Sequence, residues 1–216
     1  MTPPLVADAP SAAENLTGTL GRGDGGLADC RRKAGACDGE KGRRLATHPV
    51  RLFGDPVLKQ RAREVEDVDG SLATLAETMY ETMYEAVGIG LAAPQIGVQR
   101  RIFTYDVGEG PHTIVNPEVV TASGEWTYNE GCLSVPGMHF EIVRPKVVTL
   151  RGIGLDGNEL EIEADEVLAR LFQHEIDHLD GVLLLDRLEP DERKRALRAL
   201  RDQDLAMIPR GAGPAL

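Results

Sequence analysis

The sequence predicts an α+β domain, on three observations. Amphipathic helical periods stand on both sides of the middle of the chain. Between residues 101 and 163 the apolar residues instead fall in short runs broken by Gly and Pro, as strands joined by turns do. The order helix, strands, helix, helix groups the strands together and does not alternate them with helices.

The first 47 residues stand apart from this pattern. They are rich in Gly, Ala, Pro and charge, with Leu5, Val6, Leu16, Leu20, Leu27 and Leu45 as their only sizeable apolar side chains and no period among them. A segment of that kind buries too little apolar surface to offset its ordering entropy, so residues 1–47 are expected to be a disordered extension. A transit peptide is one reading, against which Asp8, Glu14, Asp24, Asp29, Asp38 and Glu40 speak; a mis-assigned upstream start is another. The folded domain is expected over residues 48–205.

Val50, Leu52, Phe53, Val57 and Leu58 open that domain around a Gly54-Asp55-Pro56 turn. From Ser71 to Val87, Leu72, Leu75, Ala76, Met79, Met83 and Val87 recur every three or four residues. Asp69 or Ser71 is available as N-cap and Gly88 lies past the end, which predicts a helix. Strands follow over 101–107, 113–115, 119–121 and 147–151. Asp156-Gly157 then signals a hairpin into the alternating Leu160-Glu161-Ile162-Glu163 strand. Val167, Leu168, Leu171, Phe172, Ile176 and Leu179 give residues 165–179 a helical stripe closed by Gly181. A last helix runs from Pro190 to Leu205, its Leu197, Leu200 and Leu205 opposing a charged face, and residues 206–216 are expected to be a flexible tail.

No apolar run approaches the roughly 18 residues that a membrane span needs. The net charge of −11 argues against nucleic acid as a main partner, and the acidity lies in the domain, since residues 1–47 hold seven basic and six acidic side chains. Cys30, Cys37 and Cys132 are too few and too unevenly spaced for a disulfide framework. With no basic leader before an apolar core, a cytoplasmic protein is expected.

Chemistry concentrates in three segments. His174-Glu175-Ile176-Asp177-His178 lies within a predicted helix, where a four-residue spacing puts both imidazoles on one face and Glu175 about 100° away. Two histidines on an apolar helix need partners, and a metal is one way to provide them; two partly buried structural histidines are the plainer reading. A catalytic site usually takes three protein ligands. Leu184 stands where one class of zinc protease has a third histidine, and Glu189 and Glu192 are poorly placed for another. Upstream, Glu130-Gly131-Cys132-Leu133-Ser134 offers a cysteine that could reach the helix from a sheet, although a lone cysteine is more often a small buried hydrophobe. The third segment, Gly88-Ile89-Gly90-Leu91-Ala92-Ala93-Pro94-Gln95, leaves its backbone open to another chain and ends in an amide donor.

Together GIGLAAPQ at 88–95, EGCLS at 130–134 and QHEIDHLDG at 173–181 resemble the three signature motifs of the peptide deformylase family, over roughly residues 48–205. The resemblance implies antiparallel sheets packed around a central helix carrying HExxH. It implies an enzyme that removes the formyl group from the N-formylmethionine of nascent polypeptides and releases formate. Cys132, His174 and His178 would hold one divalent metal. Fe(II) is the ion the resemblance implies, while the donor set also suits Zn(II), Ni(II) or Co(II). Glu175 would move the proton of the attacking water, and the Gln95 side chain with the Leu133 backbone N–H would meet the oxyanion. The backbone near Gly90 and Gly131 would take the peptide as an added strand. Ile89, Tyr128, Val167 and Leu171 are candidates for an apolar methionine pocket, and Glu130 would pair with Arg144 to brace the Cys132 loop. His139 is a departure, since some members of that family carry an arginine near this position that binds the substrate backbone. The expected partners are N-formylmethionyl peptides and nascent chains at the ribosome, acted on by a monomer. An HExxH peptidase that cuts internal amides, or a metal that only staples helix to sheet, are the competing readings.

Overall fold

The computed structural model describes residues 47–207, with side chains as far as Asp202. Apart from Thr47, the expected N-terminal extension lies outside the described residues. So does the expected C-terminal tail, apart from Ala206 and Met207, which continue the last helix.

The first helix, α1, spans Gly70–Glu85. Of the two candidate caps, Asp69 is the one used: its Oδ1 accepts the N–H groups of Ser71 and Leu72 at 3.0 and 3.1 Å. The helix stops short of Val87, which takes φ +56 and turns the chain outward, so that the side chain expected to complete the apolar stripe is 91% exposed.

Seven strands follow: β1 Gly90–Ala92, β2 Ile102–Tyr105, β3 His112–Ser123, β4 Trp126–Cys132, β5 Val135–Arg144, β6 Val147–Ile153 and β7 Glu159–Asp165. Five form an antiparallel sheet in the order β1-β2-β3-β6-β7, and β4 with β5 forms a separate two-stranded ribbon. The expected short strands at 113–115 and 119–121 are one strand. Pro117 sits within it at a register shift between Val115 and Glu118, where Asn116 at φ +48 bonds the backbone of Val65 at 2.9 and 2.8 Å.

The second helix, α2, spans Glu166–Leu179 and lies on one face of the larger sheet. Its Ala169, Phe172 and Leu179 join Phe103, Tyr105, Ile114, Val148 and Leu150 in one core. The Phe172 ring meets Tyr105 edge-on at 5.2 Å. The opposite face takes α1 through Leu72, Met79 and Met83 against Leu91, Ile102 and Val115. Covered on both sides, β2 is buried at all four residues, Thr104 included, so it shows no alternation of buried and exposed positions. The ribbon has its own apolar cluster, in which Ile142 packs with Leu184, Leu185 and Leu188, and with Ala196 of the last helix, α3, Pro190–Met207.

Candidate metal and catalytic site

The three sequence segments meet where α2, the ribbon and the edge strand β1 converge. One helical turn sets the His174 and His178 rings 4.9 Å apart, nearly perpendicular. Cys132 ends β4, and its Sγ lies 3.2 Å from Nε2 of His178. One donor atom from each of Cys132, His174 and His178 falls within 4.8 Å of the other two, near the roughly 3–4 Å between ligands around one tetrahedral ion. Among the described residues they form the one group of three or more His, Cys, Asp or Glu with that spacing.

The donor set fits a soft divalent transition metal, and so does the local charge. Burial pushes the Cys132 thiol up, but attraction from His178 and His174 outweighs it and holds the thiol well below its ordinary range. Burial alone would lower His174; Cys132 and Glu130 beside it raise it instead. The pocket therefore draws positive charge toward a thiolate, as a cation site does.

Glu175 lines the same cleft, with only 4% of its surface exposed. Burial pushes its carboxyl up to about 7, against the pull of His174 and His178. Its Oε2 is buried with no hydrogen-bond partner. Room for the carboxylate exists because residue 90 is glycine: a Cβ there would stand 3.0 Å from Cδ of Glu175 and closer still to Oε1. Gln95 follows β1 in a 3-10 turn, Ala93–Ile96. Its Oε1 accepts the Ala92 N–H at 2.8 Å, which fixes the amide with Nε2 toward Ser134 Oγ at 3.2 Å and Cys132 Sγ at 3.9 Å. Leu133 follows Cys132 in the turn between β4 and β5 and also borders the cleft.

The cleft encloses about 700 Å³. Ile89, Tyr128 and Val167 line it while remaining 53%, 46% and 43% exposed, so they are not core residues. Leu171 is both cleft wall and core. Gly90 is the first residue of edge strand β1, and Gly131 pairs with His139 across the ribbon. A Cβ on Gly131 would stand 2.8 Å from the His139 ring, so that ring covers the glycine at the position where an arginine was the alternative.

Glu130 and Arg144 form a buried bidentate pair, with Nε to Oε2 at 2.9 Å and Nη2 to Oε1 at 2.7 Å, at 6% and 4% exposure. That excludes a surface ion pair. Glu130 Oε1 also meets Nδ1 of His174 at 2.7 Å, which leaves that ring's Nε2 for the cluster. Burial pushes the Glu130 carboxyl up, but His174 and Arg144 outweigh it and hold it far below the carboxylate range. Sequence reasoning missed the rest of this network. Arg170 donates to Glu130 at 2.7 Å, and Asp177 takes Arg144 Nη1 at 2.8 Å and the fork of Arg187. The available signal was Arg170 itself, one turn before His174 on the same side of the helix.

An HExxH helix meeting a cysteine across a cleft, with a buried carboxylate beside the cluster, defines a candidate single-metal hydrolase. Residues 47–194 match the family model described as polypeptide deformylase. The chain is 51% identical over 145 residues to the peptide deformylase of Agathobacter rectalis, covering 67% of this chain and 92% of that protein. It is 46% identical over 162 residues to that of Acidothermus cellulolyticus, covering 75% and 90%. A crystal structure of a peptide deformylase from Legionella pneumophila superposes with a TM-score of 0.71 at 40% identity, covering 78% of this chain and all of that one. The chain belongs to the polypeptide deformylase family.

Proposed function

We propose that this enzyme removes the formyl group from N-formylmethionyl peptides and nascent chains at the site formed by Cys132, His174, His178, Glu175, Gln95 and Leu133. The observation that carries the reading is the buried Glu175 carboxyl, its Oε2 without a hydrogen-bond partner, set against Gly90 beside the Cys-His-His cluster. Cys132, His174 and His178 would hold one divalent ion, Fe(II) by family resemblance, which when bound supplies a Lewis acid that makes water nucleophilic near neutral pH.

The chain's own residues perform the remaining work. Glu175, with its carboxyl raised to about 7, takes a proton from the attacking water and returns it to the departing amine. The Gln95 amide, already turned by the Ala92 N–H, and the Leu133 backbone N–H donate to the oxyanion that develops on the formyl oxygen as its carbon is attacked. The edge of β1 at Gly90 and the ribbon at Gly131 bind peptide backbone, a mode indifferent to side-chain identity. Ile89, Tyr128, Val167 and Leu171 receive the methionine side chain. On this reading residues 48–205 form the catalytic domain of a cytoplasmic monomer that meets its substrates at the ribosome.

The test is formate release from formyl-Met-Ala-Ser by anaerobically prepared enzyme with metal measured on the same sample. Glu175→Ala is expected to retain metal and release no formate. Cleavage of the unformylated peptide, or full activity in that variant, would overturn the proposal.

A further inference from the structure

The ionic network does not end at the buried arginines. From His174 it runs through Glu130 and Arg144 to Asp177, and Asp177 is held by Arg187, whose Nε donates to Oδ2 at 3.0 Å while Nη2 donates to Oδ1. Glu130, Arg144 and Asp177 are buried, whereas 45% of the Arg187 side chain is exposed. We propose that Arg187 is a positioning residue for the metal site, acting on His174 through Asp177, Arg144 and Glu130.

Two carboxylates compete for one guanidinium. Arg144 serves two carboxylates: Nε and Nη2 go to Glu130, and only Nη1 goes to Asp177. Asp177 tolerates that single bond because Arg187 supplies two more. Without Arg187, a nearly buried carboxylate keeps one donor, and the least costly repair is to draw Arg144 toward Asp177 and away from Glu130. Glu130 then keeps Arg170 on its Oε2 but loses the Arg144 fork, whose Nη2 is the donor that fixes its Oε1 on Nδ1 of His174. That contact sets the ring's tautomer and rotation, and loss of such an outer contact typically costs about 10- to 100-fold in metal affinity or activity. Asp177 lies between the two histidines of the motif, so its displacement would also be felt along the α2 turn that carries them. Nothing in the sequence signals this, because Arg187 lies nine residues past His178 in a 3-10 turn, Leu184–Arg187.

The inference rests on the reading that Cys132, His174 and His178 bind the ion, and the experiment separates the two. The full chain is loaded with Co(II), and thiolate-to-cobalt absorption is followed while a chelator removes the metal. Wild type, Arg187→Ala, Arg187→Lys and Arg193→Ala are compared, Arg193 being a similarly exposed arginine on Asp186. The expected result is metal loss about tenfold faster in Arg187→Ala, with kcat lowered and KM little changed. Arg187→Lys should fall between that variant and wild type, because an ammonium keeps the charge and loses the fork. Arg193→Ala should match wild type. If Arg187→Ala does not fold, Arg187→Lys carries the test alone, with faster metal loss than Arg193→Ala expected. Wild-type rates of metal loss and wild-type kcat in the Arg187 variants would overturn the inference, even if their melting temperature falls. A wild-type chain that takes up Co(II) without thiolate absorption would instead overturn the metal-site reading.

Discussion

Replacing Gly90 by alanine separates catalysis from folding. The added Cβ would stand 3.0 Å from Cδ of Glu175 and closer still to Oε1, while the backbone at 90 does not require a left-handed conformation. The obstacle is the far end of a side chain, so folding can proceed by moving the carboxylate; recovering ordinary van der Waals contact needs a retreat of about 1 Å. A displacement of that size at a reacting group costs on the order of 100-fold in rate, or about 2.7 kcal/mol of barrier. The prediction is therefore a kcat for formate release from formyl-Met-Ala-Ser lowered about 100-fold, with bound metal unchanged and a urea midpoint near that of wild type. A Gly90→Ala enzyme with wild-type kcat would show that the carboxylate position does not limit the reaction. One that loses metal and stability together would show that the glycine serves packing instead.

Other perturbations test the supporting structure. Arg144→Met leaves the buried Glu130 and Asp177 carboxylates without their shared partner and should cost about 3–5 kcal/mol in urea unfolding; a loss below about 1 kcal/mol would refute the assignment of Arg144 as their bridge. Gly181→Ala meets both a backbone φ of +74 and the Lys59 backbone 2.8 Å away, whereas Gly157→Ala meets φ +80 with open space around it. Both should lose about 1–2 kcal/mol to the left-handed conformation, and Gly181→Ala measurably more; equal losses would discount the Lys59 contact. Burial pushes Asp186 up, but its bonds to Lys59 and the Leu183 N–H outweigh that, so its folded pKa lies below the ordinary 3.8. The stability this group contributes is present above that value and disappears as pH falls through the folded pKa. The stability gap between wild type and Asp186→Asn should accordingly close as pH drops below about 4, and a gap constant from pH 7 to 3 would contradict the linkage.

The helices were legible because their apolar spacing coincides with burial: Leu72, Met79 and Met83 face the sheet from one side and Phe172 and Leu179 from the other. The ribbon was not. Tyr128, Asn129 and neighbouring residues of β4 are exposed because this strand borders a cleft and not a core, so no two-residue alternation of apolar and polar survives. Strand β1 was hidden for a related reason: it is three residues long, and only Leu91 between Gly90 and Ala92 carries a large apolar side chain, which is too short a run to show a period. At the site, the motif spacing put His174, His178 and Glu175 on one helical turn, while the resemblance supplied Cys132 as the third ligand and the Glu130 and Arg144 pair. Asp177 and Arg187 were invisible, because a carboxylate inside a motif and an arginine in a charged stretch look alike whether they face water or each other.

The separation of the ribbon from the five-stranded sheet bears on how the site would come apart. A two-stranded ribbon is marginal on its own. Here its inner side is tied to α2 through Glu130, Arg144 and Arg170, and its apolar side to Leu184, Leu185 and Leu188. Cys132 belongs to the ribbon and the histidines to the helix, so partial opening along this seam would divide the cluster while leaving the larger sheet intact. Amide exchange should then find β4 and β5 losing protection before β2 and β3, and heat inactivation should precede the loss of sheet structure.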